Sequence, residues 1–309
     1  MHFAKALVSG VVTAQSIALL TLGANGIATA ANEVGGCAVR SASTVASGFG
    51  VLENLAFDGT GGLLLSETSF GGAGGGLVRL TPDGSRVTVA PVETPGGLVV
   101  SGGTAYVNTG NTFASGVSDT PDGAIVAVDL ATGAVHTAVT GLRMPNGLAQ
   151  LPDGGFVVSR DVGGATTLTR VAADGSGAHT LAPELTSTNG LAYDPGRRKL
   201  FVSTTFDAAT VIAAVDLEHP DAAPARITLP GFGPLNSADD LTVGPDGAVY
   251  VALNTAGTVV RVDPEAGTYC TIARDLPFVT SVRFGAGPGW DPKSLYATGF
   301  LGAVTRLAP

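Results

Sequence analysis

Six short segments of the chain begin with a small or polar pair that leads into an apolar run. They are Glu53-Asn54-Leu55, Gly96-Gly97-Leu98, Asn146-Gly147-Leu148, Asn189-Gly190-Leu191, Asp239-Asp240-Leu241 and Thr280-Ser281-Val282. Four of the leading residues, Glu53, Asn146, Asn189 and Asp239, carry side-chain oxygens. Two carboxylates and two amide carbonyls are the donors a hard divalent cation takes, water or a substrate oxygen completing a shell of about six to eight ligands. Ca2+ is therefore the expected ion. Zn2+ prefers His or Cys, and none of the pairs supplies them. A polar residue at a strand start can also cap a local turn, so the indication of an ion lies in the shared register rather than in any single Asn. Gly147 and Gly190, beside two of these donors, are expected to permit positive φ and close approach of the chain to the ion.

Such residues meet only if the elements that carry them converge. The steps between the leading residues are 43, 50, 43, 50 and 41, the period of propeller blades of four strands each. The third unit shows the internal order: strand A over Gly147 to Leu151, a Pro152-Asp153-Gly154 turn, strand B over Gly155 to Ser159, strand C over Thr166 to Ala172, a turn at Ala173-Asp174-Gly175, and strand D over Ala178 to Ala182. The sixth unit lacks its strand D, while the N-terminal part holds a spare strand-like run from Val39 to Ser47. That run is expected to complete the last blade and close the ring. The expected fold is thus all-β, a six-bladed β-propeller occupying residues 31–309 as a single domain. A β-sandwich would show no fixed period, and an open solenoid gives no reason for one terminus to lack what the other supplies. In a propeller the A-strand starts lie at one mouth of the central channel, so the four oxygen donors come together there.

Composition agrees. With 16 Lys+Arg against 25 Asp+Glu the net charge is −9, which excludes nucleic-acid binding by phosphate neutralisation. The 45 Gly and 18 Pro suit many short strands joined by tight turns. Residues 1–30 read as a secretory signal: Lys5 near the start, an apolar stretch from Ala6 to Ala24, and Ala28-Thr29-Ala30 as a small-x-small cleavage site. A retained anchor fits less well, because the stretch contains several polar and Gly residues. No later segment is apolar and long enough to span a bilayer. A secreted or periplasmic location follows, and there Cys37 and Cys270, the only cysteines, have one intramolecular pairing available.

The ordered set Glu53, Asn146, Asn189 and Asp239, with the wording Pro145-Asn146-Gly147-Leu148-Ala149 and Asn189-Gly190-Leu191-Ala192-Tyr193-Asp194, resembles the gluconolactonase, regucalcin (senescence marker protein) and bacterial lactonase family. Paraoxonases and strictosidine-synthase-like proteins are wider relatives of the same six-bladed form. The resemblance implies a hydrolase of lactones or related esters that uses a divalent ion. In it Asp239 would be ligand and general base, with Asp240 as second ligand or alternative base. Paraoxonase-type relatives use a histidine pair near the ion. Here His136 and His179 are expected on outer strands and His219 in a loop, so no pair forms. A non-catalytic binding or scaffold propeller with a structural calcium is the alternative, and a condensing or cyclising enzyme is a weaker one resting on fold analogy.

Loops after the B strands share the ion's face, and they supply Asn108, Asn111, Arg160, Asp161, Phe206, Asp207, Asn254 and Phe300 as candidate substrate contacts. Arg160 is expected to hold an anionic group. The Gly-rich run from Gly71 to Gly76 lacks the Lys-Ser/Thr of a phosphate cradle, and the chain is expected to be a monomer acting on a small molecule.

Overall fold

The computed structural model describes residues 28–35, 37–69 and 75–309. The expected signal segment lies outside these residues up to position 27, as does most of the Gly71 to Gly76 run. Six antiparallel four-stranded sheets follow one another along the chain. Blade one runs from Val51–Phe57 to Arg86–Pro91, blade two from Leu98–Ser101 to Val135–Leu142, and blade three from Leu148–Gln150 to His179–Leu181. Blade four spans Thr188–Asp194 to Ala225–Leu229 and blade five Ala238–Val243 to Thr268–Ala273. Blade six has Val279–Phe284, Leu295–Gly299 and Ala303–Ala308, and its fourth strand is Ser41–Ser47 from the other end of the chain. Among the described residues helix is confined to two short pieces, Phe113–Ser118 and Gly233–Asn236, both in loops.

Closure is as the repeat predicts. Ser41–Ser47 pairs antiparallel with the last strand, and the Cys37–Cys270 disulfide, with Cα atoms 6.1 Å apart, ties the approach to that strand onto the outer strand of blade five. The sequence gives no sign of two additions: Ala28–Ala30 and Asn32–Glu33 lie parallel to the outer strands of blades four and five. Ala28–Ala30, the expected cleavage site, is therefore paired in this structure.

The core is distributed between blades, because each twisted sheet is apolar on both faces and buries them against two neighbours. Leu64 and Leu77 of blade one pack with Leu98, Ala105 and Val107 of blade two. At the closing seam Leu52, Leu55 and Leu63 meet Trp290, Tyr296 and Val304 of blade six. Edge-on contacts of Phe57 with Trp290 and Tyr296, each at 5.4 Å between ring centres, lock this seam.

Candidate functional site

The leading pairs fall at β-bulges. In blade one, Leu52 pairs with Glu67 and Leu55 with Leu65, so Glu53 and Asn54 together face one residue, Ser66. Blade four repeats this with Asn189-Gly190 opposite Ser203, and blade five with Asp239-Asp240 opposite Ala252. A bulge re-aims the side chains at its extra residue, which lets consecutive residues of the inner strand take up different roles.

In four blades the residue facing the leading pair bridges to the next blade, whereas Ala252 of blade five has no donor to do so. Ser66 donates to Gly96 O, Asn108 Nδ2 to Asn146 O (2.9 Å) and Gly147 O (3.0 Å), Ser159 to Asn189 O, and Ser203 to Asp239 O. Thr280 closes the circle by donating to Leu52 O at 2.9 Å. Asn108, expected to contact substrate, is instead fully buried in this inter-blade relay. The sequence does carry its signal, a Ser or Asn about a dozen residues after the leading pair in four units, but nothing there says what it bonds. Gly147 and Gly190 also serve a purpose other than the expected one. Neither has positive φ; a Cβ on Gly147 would stand 2.2 Å from Asn189 O, and one on Gly190 2.5 Å from the Asp240 Cα. They allow neighbouring inner strands to approach each other.

At the mouth formed by the bulges, carboxylates from three blades sense one another. Burial raises the Glu53 carboxyl to about 8, helped by the charges of Asp161 and Asp240 and opposed by Asn111. Its contact with Asn111 Nδ2 is 3.5 Å. Asp239 is likewise raised well above the ordinary range by burial and then by Glu53, Asp240 and Asp161, while Asn254 Nδ2 donates to its Oδ2 at 3.3 Å. Asp161, 8% exposed, is lifted to about 6 by burial, against a hydrogen bond from Asn146. Asn189 donates through Nδ2 to Thr205 Oγ1 at 2.9 Å, which leaves its carbonyl oxygen for another partner. Glu53, Asp161 and Asp239 thus share one neighbourhood, with Asn111, Asn146 and Asn254 hydrogen-bonded to them and Asn189 on the inner strand of the blade between those of Asp161 and Asp239.

Asp240 faces other partners. Its Oδ2 receives Arg283 Nη1 and Asn54 Nδ2, at 2.8 and 2.9 Å, together with the Ser281 hydroxyl. Arg283 also donates to Leu241 O and Val282 O. Arg160, expected to hold an anion, is committed to Asp119 Oδ1 (2.6 Å), Gly116 O (2.8 Å) and Val162 O (2.9 Å), so it fastens the long insertion of blade two onto blade three. Asp207 accepts from Thr186, and Phe300 is half-buried with its amide on Phe278 O. His136 and His179 lie exposed on outer strands and His219 in a loop, as expected.

The donor set fits a hard cation. Every group gathered is oxygen, and among the described residues neither Glu53 nor Asp239 has a Lys or Arg partner. The buried Asp161 Oδ1 has no hydrogen-bond partner at all. A buried acceptor without a partner costs about 1–3 kcal/mol, more when charged, and a cation would remove that cost. Among the described residues no group of three or more His, Cys, Asp or Glu side chains is placed to hold a metal ion by itself.

These pKa shifts fix a pH dependence. Folded Glu53 and Asp161 keep protons that the unfolded chain has lost, so without divalent ions stability falls as pH rises from about 4 toward 8, the window between the unfolded and folded values of Glu53. Calcium should reverse that slope, raising the melting temperature more at pH 8 than at pH 5, where it must displace protons. Thermal unfolding in chelator and in millimolar calcium checks this.

Similarity to known proteins agrees with this arrangement. Three solved propellers align with the chain over nearly its whole described length: a gluconolactonase from Xanthomonas campestris (18% identity, TM-score 0.66, 87% of this chain and 90% of that one), an aldose sugar dehydrogenase from Streptomyces coelicolor in its PQQ-bound form (16%, 0.64, 88% and 99%), and a luciferin-regenerating enzyme (15%, 0.63, 87% and 95%). At such identities they establish the fold alone. No curated protein sequence matches significantly. The sequence profile of the SMP-30/gluconolactonase/LRE-like region, however, matches residues 73–299, from the first blade to the last. On a six-bladed propeller, that match over more than half of the chain makes this chain a member of the SMP-30/gluconolactonase/LRE-like family.

Proposed function

We propose that this protein is an exported, monomeric, divalent-metal-dependent hydrolase of lactones or related esters. The observation that carries the reading is the meeting of Glu53, Asp161 and Asp239, from three blades, in mutual repulsion and without cationic side chains on Glu53 or Asp239. Glu53, Asn146, Asn189 and Asp239 would hold the ion, most plausibly Ca2+ given an all-oxygen set. The ion supplies Lewis-acid polarisation of the ester carbonyl and charge for the developing oxyanion.

The chain's own residues do the rest. Asp239 takes the proton from the attacking water, and Asn254, bonded to its Oδ2, fixes which carboxylate oxygen is free to do so. Asp240 serves this site by position: held by Arg283, it stays beside Asp239, and its charge raises the proton affinity of that carboxylate. Asn111 and Asp161 stand at the mouth where a bound ring would lie, with Phe206, Asp207 and Phe300 in the surrounding loops. The Cys37–Cys270 disulfide supports export, since such bonds persist in oxidising compartments. No helix of the described residues is long and apolar enough to cross a membrane.

The test is hydrolysis of a panel of lactones before and after chelation, with calcium added back. Activity that is lost on chelation and restored by the ion is the expected result. The absence of histidines from the mouth favours one competing reading, a scaffold propeller with a structural ion, and stabilisation by calcium without turnover of any lactone would establish it.

A further inference from the structure

Exposed apolar side chains are distributed unevenly over this propeller. Loops after the B strands and loops entering the A strands lie on the face that carries the acid cluster. On that face Phe113 (71% exposed), Phe206 (50%), Phe232 (55%) and Val117, Leu235, Phe278 and Leu301 stand in solvent. The other exposed large apolar side chains, Val34, Val39, Val87 and Val135, belong to the N-terminal segment or to outer strands. Among the described residues the turns of the opposite face expose none.

These side chains are joined to the site by short links. Asn111, whose amide reaches Glu53, precedes Phe113 by two residues, and Arg160, next to Asp161, grips the same helix through Gly116 O. Phe206 follows Thr205, the acceptor for Asn189, and its own amide is held by the Ser187 hydroxyl. The Phe232 helix is pinned against the Phe206 loop by Gly233 N donating to Ala208 O, at 3.0 Å. Phe278 precedes the inner strand of blade six and accepts from Phe300 N.

Several polar groups of the same loops are already used, while Arg274 and Asp275 before Phe278 stand exposed. Arg160 is engaged through all three of its nitrogens, Asp207 takes Thr186, Asn236 donates to Thr210 and Pro230 O, and Asn254 donates to Asp239. Arg274 and Asp275 apart, a polyhydroxylated ring would find these polar side chains engaged, whereas a hydrocarbon chain would find exposed rings on several of the loops.

We infer that the substrate is amphiphilic: a hydrolysable lactone or ester head that enters the acid cluster and carries an alkyl or aryl substituent lying across the Phe113, Phe206, Phe232 and Phe278 rim. This deepens the hydrolase reading and rests on it. The decisive experiment measures kcat/KM for γ-lactones bearing n-alkyl chains from methyl to hexyl, beside a polyhydroxylated sugar lactone. A rise of about twofold to fourfold per methylene is expected from apolar burial, together with a slope that collapses toward unity in the Phe206→Ser/Phe278→Ser double variant. A flat series, or the sugar lactone as the best substrate, overturns the inference.

Should no lactone turn over, the hydrolase reading fails by itself, and calorimetric binding of the matching 2-alkyl cyclic ethers still decides the rim. Affinity that climbs with chain length upholds it, and affinity independent of length refutes it. Co-sedimentation with phosphatidylcholine vesicles, abolished in the double variant and accompanied by a flat substrate series, would reassign the rim to a lipid surface and likewise refute the inference.

Discussion

Asp239→Asn should lower kcat/KM for lactone hydrolysis by about a thousandfold or more, since it removes an ion ligand and the base in one step and each tenfold corresponds to about 1.4 kcal/mol of barrier. Stability should respond in the opposite sense. In the wild-type protein Asp239 is buried among Glu53, Asp240 and Asp161, so its charge opposes folding when no ion is present. Replacing it with an isosteric amide relieves that repulsion. In chelator at pH 8 the variant should melt above the wild type, and in calcium the order should invert, because only the wild type gains the ion's binding energy. A merely structural Asp would give a variant less stable under both conditions.

The second large effect is on ring closure. Removing the disulfide in a Cys37→Ala/Cys270→Ala double variant should cost about 2–5 kcal/mol, toward the upper end, because the bond spans 233 residues and restrains the unfolded chain strongly. The loss should centre on Ser41–Ser47, which pairs with the last strand of blade six and depends on that anchor for its approach. Hydrogen exchange should therefore show Ala303–Ala308 losing protection before the strands of blade three. A reducing agent added to the wild type should reproduce the change. Uniform loss of protection around the ring would mean that the bond stabilises the propeller without governing its seam.

Legibility of the sequence followed the range of the interactions. The blade period, the strands of blade three, the borrowed strand and the cysteine pairing rest on local patterns or on elimination, and the structure has them where the sequence puts them. The register of Glu53, Asn146, Asn189 and Asp239 was legible for the same reason, since each pair sits at the same place in its repeat. Long-range partners were not. Arg160 reads as an anion holder until Asp119, 41 residues earlier in an insertion with no counterpart in other blades, is seen to take it. Asn108 reads as a loop residue at the entrance, but it lies within the strand Thr104–Thr109 and its amide bonds across to the next blade. Asp239 and Asp240 are adjacent carboxylates in the sequence, and only the structure shows that Arg283, one blade on, pairs with the second. The Gly residues beside the donors were read for φ, whereas the distance to the adjacent blade sets their need.

The central claim is that these oxygens share one cation at the mouth of the channel. A crystal structure of the calcium-soaked protein tests it most directly. The account predicts a single ion bonded at about 2.3–2.6 Å to Glu53, Asn146, Asn189 and Asp239, absent from the Asp239→Asn variant. Calcium bound elsewhere, or density showing the four side chains hydrogen-bonded to one another with no ion among them, would contradict it.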